Sequence, residues 1–322
     1  MTLLMKKRVL AVKKEITTLG LGIEPLVGDA YIPAFDINIA PQIEMVERQS
    51  PGTFSSFASV VGPRSGVATF KTHFYGGGAT NTAPLWAELL FPACGFAQAA
   101  EVFSPSSLAP VVGSATANCN VTISSYEDGL QKSIVGAMGT FKMTFTAGKT
   151  VVIEWTFTGL WEGPAGAAPV VAKTILAPTY DTTIPMRFAS TVLSLGSGPT
   201  CIESMTLDAG NDVVLRPCAT DVTGYANAVI TGRKTVGSFN PESALLGTED
   251  VHALWLAGTE EAFSCKITDS TQMCTITAPK VQRTNIQPGD RNGIQVDNID
   301  FQCNKSAALG DDELIFTFAA EA

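Results

Sequence analysis

The sequence predicts an α+β protein that is mostly β, with two tandem β modules that each carry one flanking helix. Three observations lead to this fold class: a repeated set of residues, long stretches in which apolar and polar side chains alternate, and one short helical segment in each half. The length of 322 residues also suits about two domains.

The repeat is a set of matching residues at a nearly constant separation. Five residues recur at a shift of 169 positions (239 − 70): Val60, Val61, Arg64, Val67 and Phe70 recur as Val229, Ile230, Arg233, Val236 and Phe239. Four upstream residues recur at a shift of 168 (216 − 48): Ile37, Ile39, Met45 and Arg48 recur as Met205, Leu207, Val213 and Arg216. We therefore expect two copies of one fold.

Alternation with a period of two predicts the strands of the first copy. In residues 140–145, Phe141, Met143 and Phe145 share one face, and residues 151–158 show the same pattern. The predicted order is strands near 31–40, 43–49 and 58–74, a helix, a hairpin near 119–137 and a strand pair near 138–159. Thr82 is the expected cap of the helix, and Pro92 and Gly95 are expected to end it.

The second copy repeats this order. We expect strands near 202–208, 212–217 and 227–239, a helix near 249–257, a hairpin near 263–277 and strands near 278–302. Gly148 and Gly289 are expected to mark corresponding turns, and residues 314–318 add a last strand. The predicted boundaries are an N-terminal arm 1–20, module 1 at 21–160, a Gly- and Pro-rich linker 161–186 and module 2 at 187–322.

Charge is distributed unevenly along the chain. Five cations precede the first acid, Glu15, which leaves 16 of the 21 basic residues against 30 acidic residues in the remainder. An acidic body repels phosphates and argues against a nucleic-acid-binding protein, so the basic start is interpreted as an assembly arm or a solvated tail rather than a nucleic-acid arm. We see no secretion signal and no run of about 20 apolar residues that would span a membrane. The seven cysteines are expected to be reduced and mostly buried.

The chain offers little for catalysis. His73 and His252 are its two histidines, and both are expected to be structural. No metal-binding spacing is found, so no metal, cofactor or enzyme activity is predicted. The run Gly76–Gly78 lacks the rest of a phosphate loop and is interpreted as a flexible or tightly turning loop. The acidic clusters Glu260–Glu261 and Asp311–Glu313 have two open interpretations, solvated loops or the wall of a conduit.

Several segments together resemble the major tail proteins, the tail tube proteins of bacteriophages with long, non-contractile tails. They are the basic start at 6–10 with 15–20, the strand 62–66, the helix 83–96, and the segments 136–141, 157–160, 278–281 and 311–314. The resemblance implies β-sandwich or barrel tube modules, six of which form a ring, and rings that stack into a hollow tube for DNA. Tandem modules imply three chains per ring, hence a homotrimer with pseudo-hexameric symmetry.

The resemblance also implies partners and a location. The partners are other copies of the chain, the tape-measure, tail terminator and tail-tip proteins, and double-stranded DNA that passes without specific binding; no membrane is involved. The location is the virion tail tube, assembled in the host cytoplasm. Candidate lumen-facing acids, on or beside predicted strands, are Asp36, Glu44, Glu154, Asp208, Asp297 and Asp300.

Candidate contacts between rings lie in two loops and in the arm. Phe54 and Phe57 are aromatic residues in a polar loop between Arg48 and Ser59, which suggests a docking surface, although the loop also has room to fold back on its own module. Further candidates are Cys218 and Tyr225 in the corresponding loop, and Lys6, Lys7 and Arg8. Two other functions stay open: another tail-end or capsid-decorating virion protein, and a soluble enzyme or ligand-binding β protein.

Overall fold

The computed structural model describes residues 7–77, 82–112, 114, 116–195, 198–199, 201–245, 250–269 and 272–320. These residues form antiparallel strands and two α-helices, so the prediction of a mostly β, α+β protein is confirmed. No helix among them has the length and apolar character needed to cross a membrane.

The first half of the chain contains nine strands in the described residues, one α-helix and two short 3-10 helices. The strands are β1 (Arg8–Lys14), β2 (Phe35–Val46), β3 (Val60–His73), β4 (Phe96–Ala99), β5 (Val102–Pro105), β6 (Val121–Glu127), β7 (Leu130–Thr146), β8 (Val152–Leu160) and β9 (Val170–Ala172). Helix α1 is Leu85–Ala93, and the 3-10 helices are Val27–Asp29 and Pro164–Gly166.

The second half contains ten strands in its described residues and one α-helix. The strands are β10 (Val192–Leu195), β11 (Gly198–Pro199), β12 (Ile202–Asp208), β13 (Asn211–Pro217), β14 (Tyr225–Arg233), β15 (Val236–Pro241), β16 (Glu260–Asp269), β17 (Gln272–Arg291), β18 (Ile294–Asn304) and β19 (Ile315–Ala320). Helix α2 is Val251–Leu256, and the Asp250 side chain caps it by accepting a hydrogen bond from the Ala253 N–H.

The two halves have the same strand order. It runs β1-β6-β7-β8-β3-β2 in the first half and β10-β16-β17-β18-β15-β12 in the second, antiparallel throughout. The register matches as well. The pairs Asn38–Thr69, Met45–Val61 and Phe70–Trp155 correspond to Thr206–Ser238, Val213–Ile230 and Phe239–Ile299. The sequence repeat is therefore a repeat of backbone structure.

A direct strand pairing joins the halves. Strand β12 lies antiparallel to the end of β7, with Ser204 opposite Thr146 and Asp208 opposite Lys142. This junction creates a run of eight neighbouring strands, β2-β3-β8-β7-β12-β15-β18-β17, which we call the central sheet.

One face of the central sheet carries the hydrophobic core. Its side chains include Phe141, Trp155 and Phe157, all buried. Helix α1 lies between this face and β19, because Phe91 packs 5.3 Å from Phe141 and 4.9 Å from Phe316, measured between ring centroids. Helix α1 thus belongs to the core, whereas no residue of α2 is buried.

Several predicted boundaries differ from the structure. Helix α1 begins at Leu85 with Pro84, and not Thr82, at its N-cap position, and it ends one residue beyond Pro92. The predicted turn at Gly289 is wrong, because Gly289 lies within β17 opposite Val296 and the turn contains Asn292 and Gly293, both with positive φ.

Three further segments also differ from the sequence interpretation. The strand expected at 227–239 is divided into β14 and β15. The predicted arm contains β1, which pairs with β6 and has four buried residues. The predicted linker contains β9, which pairs with β7 at Leu130–Lys132. Both segments are therefore tied to module 1 by backbone hydrogen bonds.

Candidate assembly surfaces

The second face of the central sheet is polar and open to solvent. Because side chains alternate along a strand, burial of Ile37, Ile39, Met205 and Leu207 leaves hydroxyl, amide and charged groups on the opposite face. Asp36, Glu154 and Asp300 are exposed on this face and Asp208 is half-buried there. Four of the six candidate lumen acids thus share one surface.

The other two acids lie elsewhere. Asp297 is 7% exposed and sits on the core side of β18, since Ile299 and Phe301 at the same alternation are buried. Glu44 lies in the part of β2 that extends beyond the sheet toward the loop, and it is exposed.

Charges alternate in sign along one row across the polar face. From β2 to β12 the row contains Asp36, Lys71, Glu154, Lys142 and Asp208. The last four are register partners on neighbouring strands, whereas Asp36 lies in a β-bulge with φ 53°, next to Phe35, the register partner of Lys71. The Lys71 Nζ lies 2.8 Å from Glu154 Oε1 and 3.8 Å from Asp36 Oδ2. The hydrogen bond to Glu154 raises the pKa of the Lys71 ammonium. Opposite charges on neighbouring strands attract each other. The row holds two lysines and three carboxylates, so its net charge is small.

The central sheet ends in an edge strand on each side, β2 at one end and residues 283–291 of β17 at the other. In the described residues, β2 pairs only with β3, and residues 283–291 of β17 pair only with β18. Unpaired strands bind other strands readily, so proteins usually protect them. Pro41 in β2 and Pro288 in β17 lack an N–H and restrict which strand is able to pair there.

The two long hairpins differ in their surroundings. The module 1 hairpin, residues 41–64, extends into solvent and is exposed from residue 41 to residue 49 and from 51 to 61. Phe54 is 113% exposed, and Phe57 lies under the Arg48 guanidinium at 5.1 Å. The aromatic loop predicted from the sequence is therefore a solvent-facing tip.

The module 2 hairpin, residues 211–233, folds over module 1 of the same chain. The Arg64 N–H donates to Thr223 O at 3.0 Å. Asn227 Nδ2 donates to Asn120 Oδ1, and Asn120 Nδ2 donates to Ala228 O, both at 2.9 Å. Asn120 and Asn227 are both buried. This contact is absent from the sequence prediction.

Cys218 and Tyr225 lie at the base of the module 2 hairpin loop. The Cys218 N–H donates to Gly224 O, and Tyr225 N–H donates to Thr223 Oγ1. Between them Val222 is 81% exposed. The tip thus stays accessible while the flank of the hairpin is covered.

Glycines allow the close approach of the module 2 hairpin. Gly20 has φ +82°, and a Cβ there would lie 1.9 Å from Ala226 O. Gly136 has φ +61° and faces Asn227. The buried Glu15 carboxylate fixes both glycines by accepting from Gly20 N–H at 2.7 Å and from Gly136 N–H at 2.6 Å. Burial raises the pKa of the Glu15 carboxyl.

The basic N-terminal residues make contacts within the chain. Lys7 Nζ lies 3.4 Å from Asp128, and Arg8 Nη1 donates to Ile37 O at 2.8 Å. Lys6 lies outside the described residues. The two acidic clusters are also engaged, since Glu313 pairs with Arg233 at 3.0 Å and Glu260 with Lys280 at 3.0 Å.

A cavity of about 480 Å³ lies beside Arg233, between the two modules. Its lining includes Ser106, Leu108, Gly232, Lys305 and Leu309. Arg233 has a side chain only 7% exposed and Nε without a hydrogen-bond partner.

The described residues present no assembled catalytic centre. His73 packs against Phe35 at 5.0 Å, and His252 lies in α2. Burial raises the pKa of the Cys119 thiol to about 11 and that of Cys265 to about 12. No group of three or more metal-ligating side chains occurs in this part of the chain. Gly76 donates its N–H to Gln272 Oε1 at 2.7 Å, and Gly78 lies outside the described residues.

Similarity to known proteins identifies the family of the chain. No curated protein matches the chain significantly. The family described as "Phage tail tube protein" matches residues 6–303, nearly the whole chain. The resemblance found in the sequence is thereby confirmed, and the chain belongs to the phage tail tube protein family.

Proposed function

We propose that three copies of this chain close into a ring of six modules, and that the rings stack into the tail tube through which phage DNA leaves the virion. The β7–β12 junction is the observation that carries this proposal. It joins β7 of module 1 to β12 of module 2. The counterpart of β7 is β17 and the counterpart of β12 is β2, and these two strands form the two edges of the central sheet.

The repeat also predicts the register of the junction between chains. Ile153 and Asp297 are counterparts at a shift of 144 (297 − 153), so their partners Met143 and Pro288 are counterparts too. Because Leu207 lies opposite Met143, its counterpart Ile39 should lie opposite Pro288 of the next chain. Asp36 then lies opposite Arg291. Three such junctions close a barrel of 24 strands, eight from each chain, and leave no unpaired strand in the central sheet.

Purified protein tests the ring directly. We expect negative-stain images with rotational averaging to show threefold rings or hollow fibres of stacked rings. Asp36→Arg and Arg291→Asp should each weaken ring formation, because like charges would then face each other across the junction. Combining them should restore it. Monodisperse monomers at all concentrations, or rings of another symmetry, would contradict the proposal.

In this ring the polar face of the central sheet lines the lumen. Asp36, Lys71, Glu154, Lys142 and Asp208 alternate in sign, so a phosphate backbone meets no continuous positive track. Glu154→Lys together with Asp208→Lys should make assembled tubes retain double-stranded DNA at low salt, whereas wild-type tubes release it. Equal retention by both would argue against a lumen on this face.

The tips of the two hairpins are proposed to contact the next ring. Phe54 and Phe57 offer exposed aromatic surface, and Val222, between Cys218 and Tyr225, is exposed on the second tip. The remaining proposed partners are the tape-measure, tail terminator and tail-tip proteins. The proposed role is structural, in the virion, without catalysis.

A further inference from the structure

We propose that the module 1 hairpin packs sideways onto module 2 of the neighbouring protomer in the same ring. The contact surface would be the end of α2, the start of β16 and the cavity beside Arg233. This inference rests on the ring proposed above and specifies a second contact between the same two chains.

The contact of the module 2 hairpin with module 1 is the template. The two hairpins correspond residue by residue, since Met45–Val61 and Val213–Ile230 are equivalent pairs. They differ in what covers them. Asn227 and Ala228 are buried against module 1, whereas their counterparts Ala58 and Ser59 are exposed.

Exposed apolar side chains occur on both surfaces that the template would bring together. On the hairpin they are Ile43, Met45, Val60 and Val61. In the template, Ile230 packs against Gly95, which follows α1. Its Cδ1 lies 3.0 Å from the position that a Cβ of Gly95 would occupy. Its counterpart Val61 should therefore approach Gly258, which follows α2, where Leu256 is 91% exposed and Trp255 is also exposed.

The repeat also predicts which surface the tip of the module 1 hairpin contacts. In the template, Thr223 and Gly224 lie against Pro63 and Arg64. The counterparts of Pro63 and Arg64 are Gly232 and Arg233, which line the 480 Å³ cavity. The cavity is thus at the position where module 1 holds a hairpin, and the side chain of Arg233, only 7% exposed, forms part of its wall.

One pair of residues provides a sharp test. Asn120 and Asn227 are hydrogen-bonded across the template contact. The counterpart of Asn227 is Ala58. Ala262 is the counterpart of Asn120 at a shift of 142 (269 − 127), because Glu127–Leu130 and Asp269–Gln272 are the closing pairs of the equivalent β6–β7 and β16–β17 hairpins. Ala58 of one chain should therefore approach Ala262 of the next.

The experiment uses the full chain with Cys201→Ser, Cys218→Ser and Cys303→Ser, which removes the native thiols that are not buried. Ala58→Cys and Ala262→Cys are introduced together, and a short bismaleimide is added to assembled tubes and to single rings separated from them by sedimentation. We expect covalent dimers and closed trimers in both samples. Each single variant, and Ala58→Cys with Gly28→Cys at an open surface of module 1, should stay monomeric on denaturing gels.

A second measurement covers the case in which the thiols fail to meet. Val61→Lys and Leu256→Lys should each lower the fraction of protein in rings at least tenfold, and Val61→Lys with Leu256→Glu should recover it. Cross-linking only in stacked tubes, or normal rings from both lysine variants without cross-linking, would overturn the sideways contact while leaving the ring intact. Absence of rings from the unmodified chain would instead refute the proposed function.

Discussion

Gly20→Ala tests whether the module 2 hairpin is docked as the structure describes. The new Cβ would lie 1.9 Å from Ala226 O, far inside normal contact distance, and Gly20 has φ +82°. The backbone strain of a non-glycine residue there costs about 1–2 kcal/mol. Moving the hairpin away also breaks the hydrogen bonds between Asn120 and the hairpin, which adds about 1–3 kcal/mol because these groups are buried. We expect the free energy of unfolding to fall by about 2–5 kcal/mol.

Gly148→Ala is the matched control. Gly148 has φ +75°, close to that of Gly20, but nothing lies within 4 Å of the position that a Cβ would occupy there, so only the backbone strain of about 1–2 kcal/mol applies. Denaturant unfolding gives both values, and exchange of the Ala226–Ala228 amides reports the docking itself. Equal losses in the two variants, with unchanged exchange, would refute the close approach of hairpin and module 1.

Three further predictions concern the tips, the N-terminus and the buried acid. Phe54→Ala with Phe57→Ala should leave soluble rings that no longer polymerise. The three copies of Phe54 in a ring would alone lose about 5–9 kcal/mol of hydrophobic free energy at each contact between rings. Normal tubes in electron microscopy would count against this. Removing residues 1–14 should yield insoluble protein, since β1 is buried, whereas removing residues 1–6 should leave it folded by circular dichroism; the reverse result would contradict the role of β1. The raised pKa of Glu15 means that the folded state favours the protonated acid, so its contribution to stability is full below the unfolded-state pKa and falls as pH rises through the folded-state pKa. The free energy of unfolding is measured for wild type and for Glu15→Gln between pH 4 and pH 8. The advantage of wild type over the variant should be largest at pH 4, and an advantage that does not change with pH would exclude this linkage.

The sequence predicted the features that depend on local pattern. Alternation in residues 140–145 and 151–158 marked strands whose apolar residues are indeed buried, and the same alternation brought Glu154 and Asp208 to the polar face. It failed for β1, where Val9 to Val12 are all buried, because a strand covered on both faces has no polar alternation to read. It also failed for Asp297, which follows the buried Val296, so that two neighbouring residues are both covered.

Features that depend on contacts between modules were beyond the sequence pattern. Nothing local to residues 218–225 indicates that Thr223 is buried by Pro63 and Arg64, since the burial comes from a surface more than 150 positions away. The signals that did exist were Gly20 and the polar residues Asn120 and Asn227. Each has a structural reason only once the hairpin is placed against module 1.

The seating of β12 on β7 within one polypeptide has a consequence for the speed and order of tail growth. In a six-module ring, half of the contacts between modules would already be complete in the newly folded chains. The effective concentration of one module near the other is set by the segment that connects them and not by the concentration of the protein in the cell. Only three encounters between separate molecules would then be needed to finish a ring. A phage that encodes its tube this way loses less translational and rotational freedom for each ring it builds than one that assembles six separate units.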